Sequence, residues 1–78
     1  MSYTSRAELN DKFGAQVLQH THNSAVAVIR QERPTWTSDM VREVGWDIMQ
    51  RIDWDNAELM HKGFACIVKQ YLNALCPV

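Results

Sequence analysis

Met60, Phe64, Ile67, Tyr71 and Leu75 recur at helical spacing, with Val68 and Leu72 beside them and Pro77 closing the run. Residues three and four apart share one side of an α-helix, so these side chains form a single apolar stripe. It is the strongest amphipathic signal in the chain. A stripe of that size is buried only by packing against other helices or a sheet. Val26, Val28 and Ile29 in "AVAVIRQER" (Ala25 to Arg33) have strand character. No second convincing strand exists to pair with them, and a lone strand leaves unsatisfied edges. The partners are therefore expected to be helices.

Two regions supply them. Ser5 and Glu8 have the spacing of a capping box, each satisfying an orphan backbone donor at a helix start. Leu9, Phe13 and Val17 follow, with Gln16 and His20 nearby, although Gly14 within that run costs about 1 kcal/mol relative to alanine. "HTHNS", His20 to Ser24, is the expected interruption, because its residues favour turns and caps. Ala25–Arg33 then reads either as a short helix capped by Asn23 or Ser24, or as a bent continuation of the first. Pro34 ends it. The next helix starts after Thr37 or Ser38, with Asp39 in its first turn. Val41, Val44, Gly45, Ile48 and Ile52 share one face of it, bordered by Met40 and Met49. Asp53 to Asn56 breaks the pattern. Asp55 and Glu58 then approximate a capping box for the last helix, on whose edge His61 is expected to pack. The whole reads as a single all-α domain over residues 1–78, an antiparallel bundle of three to four helices centred on the last.

A chain of 78 residues buries only about 60% of the surface its unfolded form exposes, so stability is expected to be marginal. Leu18, Ile29 and Trp36 find no place on the assigned faces, while Leu59 and Cys66 flank the main face of the last helix. Surplus apolar surface of this kind is cheaply covered in a homodimer. Cys66 and Cys76, ten positions apart, would be separated by about 15 Å on one helix. A disulfide requires Cα atoms within about 7 Å, so they are expected to be reduced unless one bridges subunits.

Eight basic and nine acidic side chains leave a formal charge of -1, which gives no whole-chain attraction to nucleic acid or to an anionic membrane. No apolar run approaches the roughly 18 residues of a membrane span. "MSYTSRAELNDKFG" lacks the basic and apolar regions of a signal peptide, so the expected location is the cytoplasm.

The charge is uneven. From Asp39 to Glu58 six acids stand against Arg42 and Arg51. Asp39, Glu43 and Asp47 fall at i, i+4 and i+8 of a helix, opposite Val41, Val44 and Ile48. Trp46 lies beside this row with Arg42 one turn away, and Trp54 follows between Asp53 and Asp55. Tryptophan is enriched among residues that carry binding energy, and carboxylates select a basic partner. Asp39, Glu43, Trp46, Asp47 and Trp54 are thus the candidate contact surface for another protein with a basic surface. In a sharper form, the carboxylate row imitates nucleic-acid phosphates. The plainer reading is a solvated helix face, with Asp47 paired to Arg51 and Trp46 covering a neighbouring helix.

Other chemistry finds little footing. His20 and His22, two apart, diverge on a helix, and His61, Cys66 and Cys76 show no metal-site spacing, so no metal or other cofactor is expected. No nucleophile–base pattern or phosphate-cradling loop is present, and so small a bundle has little room for a substrate pocket. A non-enzymatic adaptor, inhibitor or regulator is the expected role, of the kind that accessory proteins of phages and plasmids play against host factors. The alternative is a small DNA-binding regulator of loosely helix-turn-helix type, with Arg30 and Arg33 as nucleic-acid contacts, supported by Arg6 or Lys12. Against it, the recognition helix would carry Asp39, Glu43 and Asp47 toward phosphates.

Overall fold

A computed structural model describes residues 3–77; Met1, Ser2 and Val78 lie outside it. Its elements are α1 (Arg6–Phe13), α2 (Ala15–Glu32), α3 (Ser38–Arg51), the single turn α4 (Ala57–Met60) and α5 (Phe64–Leu75). The fold is a small all-α bundle, with four substantial helices and no strand among the described residues. Among the described residues no helix is long and apolar enough to cross a membrane.

Two glycines set the breaks. Gly14 has φ 81° and ψ 152°, and Gly63 has φ 87° and ψ 146°, backbone conformations essentially closed to other residues. Gly14 ends α1 and starts α2, while Gly63 starts α5 two residues after the His61 C-cap of α4. The Gly14 N–H donates to Asn10 O and its carbonyl accepts from Leu18 N; the Gly63 N–H donates to Met60 O and its carbonyl accepts from Ile67 N.

The expected interruption at His20–Ser24 is therefore not a break. Its polar side chains fold back onto the helix: Thr21 Oγ1 donates to Val17 O at 2.8 Å, and Ser24 Oγ to His20 O at 3.2 Å. Ala25–Arg33 continues α2 up to Glu32, and the discontinuity lies one turn before Leu18, at Gly14. That break shifts the helical phase, so Leu18 is buried and Val17 is 53% exposed, the reverse of the expected face. The final helix is likewise shorter than its stripe implied. Asn56, not Asp55, caps α4, its Oδ1 accepting from Leu59 N at 3.1 Å. His61 is the exposed C-cap of that turn instead of a packed edge residue.

The other boundaries follow the sequence. Ser5 caps α1 by accepting from Glu8 N, and Thr37 caps α3 by accepting from Met40 N. Arg33 leaves the helical region just before Pro34.

The main core unites Ala25 and Ile29 of α2, Val41 and Ile48 of α3, Ile52, Leu59, and Ile67, Val68 and Leu72 of α5. A smaller cluster, Leu9, Leu18 and Met49, lies where α1 meets the rest, rimmed by Phe13, Trp46 and Trp54. Met49, expected at a border, is fully buried there, whereas Met40 is 44% exposed. Leu18, Ile29 and Leu59, which had prompted the homodimer expectation, are buried within one chain, and Trp36 is half-buried against the main core. Cys66 is exposed, and both thiols are free.

Candidate functional site

Helix α3 carries two buried faces. Val41 and Ile48 enter the main core, while Met49 enters the small cluster beneath α1. Trp46 sits between the second face and the acidic row, half-buried.

Its neighbours come from two other helices. The Trp46 ring stacks on His22 of α2, with centroids 4.1 Å apart and planes 13° from parallel. The guanidinium carbon of Arg6, from α1, lies 4.4 Å from the Trp46 ring centroid, a cation–π contact. Arg42, expected against this ring, instead bonds Asp39 one turn back at 2.7 Å.

His22 is 2% exposed. It completes a buried stripe on α2 with Leu18, Ala25 and Ile29, at helical spacings of four, three and four. Its Nε2 lies 3.1 Å from Arg42 O, and since a carbonyl only accepts, Nε2 carries the hydrogen. The buried Nδ1 has no hydrogen-bond partner among the described residues. Burial holds the imidazole pKa below its ordinary 6.5, aided by the cationic Arg6 and Arg42 and opposed by the bond to Arg42 O. Gly45 makes room for the ring: a Cβ there would come within 3.2 Å of Nε2.

Trp54 is also half-buried and tied to its own chain. Its Nε1 donates to Met49 O at 2.9 Å, Phe13 meets it edge-on at 5.0 Å, and Phe64 stacks at 6.3 Å. Both indoles thus pack between helices, and only their remaining surface borders the carboxylates.

The carboxylate row divides. Asp39 and Asp47 are paired, the latter with Arg51 at 3.1 Å as one sequence reading expected. Further on, Lys12 of α1 bonds Asp55 at 2.7 Å. Glu43, Asp53 and Glu58 are exposed and enter no ion pair among the described residues.

The four arginine and lysine side chains of the nucleic-acid reading do not gather. Arg33 is woven into the fold, its Nη2 donating to Asn73 Oδ1 at 3.1 Å and Cys76 O at 3.0 Å at the end of α5. Arg30 is exposed with one long contact, 3.4 Å to Ser38 Oγ. Arg6 and Lys12 are engaged with Trp46 and Asp55.

His20 is exposed and His22 buried, so the two rings diverge. The bundle does hold a concavity larger than its size suggested. An open groove of about 610 Å³ runs between the end of α3, α4 and α5, with Leu59, Tyr71 and Leu75 among its lining and Asp53, Glu58, Arg51 and Lys62 also lining it.

Sequence reasoning missed His22 and Arg6 as the partners of Trp46. The 18–22–25–29 spacing carries the signal for His22, once a histidine is admitted to an apolar stripe. Nothing local marks Arg6, which reaches Trp46 only through tertiary packing.

No protein-family model matches this chain, and comparison with curated proteins and with solved structures finds no match.

Proposed function

We propose that the chain acts by stoichiometric binding to another protein, as a small adaptor, inhibitor or regulator, through the outer face of α3. The partner presents a basic surface. What supports this reading most is Glu43: it is exposed and free of ion pairs among the described residues, flanked one turn away on each side by Asp39 and Asp47. Met40, 44% exposed, adds an apolar contact next to Asp39. Carboxylates of this kind speed encounter with a cationic partner and reject others. The remaining surface of Trp46 borders the same face, while Trp54 contributes chiefly to its own chain's packing.

A charge swap tests the reading. Asp39→Lys with Glu43→Lys alters only exposed side chains, so circular dichroism and thermal melting stay near those of the parent. Affinity capture followed by mass spectrometry is expected to recover a partner with the parent chain and to lose it with the double variant. Capture should also weaken as ionic strength rises. If the double variant captures the same partner equally well, α3 is not the contact face.

A further inference from the structure

We infer that His22 is an acid-sensitive latch that holds α1 against the α2–α3 seam and releases it when the imidazole takes up a second proton. The neutral ring suits its site. Its one N–H meets Arg42 O, and its Nδ1 lone pair lies buried with nothing to bond. A proton added at Nδ1 creates a cation in the bundle interior, with a second N–H that finds no acceptor.

The charged groups bearing on the ring come from two other helices, Arg6 of α1 and Arg42 of α3, and both are positive. Among the described residues no carboxylate bonds either ring nitrogen. Trp46 offers little relief, because its ring already serves the Arg6 guanidinium. A second cation on the same ring sets two positive charges against each other.

Relief comes from an element that lies outside the main core. Helices α2 and α3 are joined through the main core, to which α1 contributes no residue. Helix α1 is held by Leu9, by Arg6 on Trp46, by Phe13 on Trp54 and by the exposed Lys12–Asp55 pair. Its chain connection to α2 is the single residue Gly14, and just before its start Thr4 N donates to Gln50 O at 2.8 Å. Lifting α1 takes the Arg6 charge away from the imidazolium and admits water to the seam. Local opening of this sort is drawn from the weakly packed parts of a fold.

The test uses the full-length chain labelled for nuclear magnetic resonance, over about pH 5 to about pH 7.5, a window centred near the ordinary histidine pKa. His22 is expected to titrate below the ordinary histidine value of 6.5. As pH falls from the ordinary histidine pKa toward that of His22, exchange protection of the Asn10–Phe13 amides is expected to fall by up to about tenfold per pH unit, while Ile29 and Ile48 keep theirs. His22→Gln retains a donor for Arg42 O and cannot titrate, so its α1 protection stays flat across the range. The inference fails if His22 titrates at or above the ordinary histidine value, or if protection of α1 is independent of pH in the parent. It fails equally if His22→Gln shows the same acid-dependent loss. Should that variant not fold, the two measurements on the parent decide alone.

Discussion

Trp46 lies flat on His22, an indole of α3 resting against a buried imidazole of α2 at 4.1 Å. This contact accounts for much of the oddity of a large aromatic side chain among acids. The ring's one-dimensional neighbours are carboxylates, but its spatial neighbours are His22 and Arg6. The acids lie along the adjoining outer face, where water solvates them.

Replacing that ring is therefore costly. Trp46→Ala is expected to destabilise the fold by about 2–4 kcal/mol, toward the lower end of buried tryptophan truncations because the ring is half-buried. Urea unfolding followed by circular dichroism measures it. A loss under about 0.5 kcal/mol, typical of surface positions, would show that the ring contributes nothing to the seam.

Stability is expected to depend on pH through His22. The folded state holds its pKa below 6.5, while the unfolded chain titrates near that value. In the window just below 6.5 the unfolded state binds more protons, so stability rises with pH there and levels off above it. Urea midpoints taken from mildly acidic to neutral pH reveal the slope. His22→Gln flattens it.

The two hinge glycines invert the usual rule for helices. Within a continuous helix, Gly14→Ala would gain about 1 kcal/mol. At φ 81° the same change is expected to cost about 1–3 kcal/mol, although a Cβ there meets nothing within 4 Å. Gly63→Ala, at φ 87° and equally open, is expected to behave alike. The sign of the change in melting temperature separates a hinge from an unbroken rod.

Arg30 and Arg33 are expected to part ways. Arg33→Ala removes donors to Asn73 Oδ1 and Cys76 O and is expected to cost about 1–2 kcal/mol. For a domain of this length, each kcal/mol lowers the melting temperature by about 4–8 °C. Arg30→Ala, an exposed change, is expected to stay within about 0.5 kcal/mol. Equal losses from the two variants would contradict the assignment of Arg33 to the end of α5.

The all-α class was legible because Met60 to Leu75 and Val41 to Ile52 carry periodic apolar faces that local spacing reveals. Ser5, Thr37 and Pro34 mark boundaries through chemistry confined to a few neighbours. Gly14 and Gly63 were harder to read, since an isolated glycine signals either a tolerated defect or a break, and its φ is decided by what the flanking helices pack against. His20–Ser24 misled because Thr21 and Ser24 can bond backward along a helix as readily as cap one. At the candidate site, the Asp47–Arg51 pair was readable from its i, i+4 spacing. The pairing of Trp46 with Arg6 was not, because forty residues separate them along the chain.

The placement of the three indoles has a practical consequence. Trp36 packs on the main core, Trp46 rims the small cluster under α1, and Trp54 touches both. Trp36 and Trp46 thereby place intrinsic fluorescence in two separate compartments. Single-tryptophan versions of the chain would report optically on each compartment, so a spectrum that changes in two steps would reveal that the halves of the interior come apart at different times.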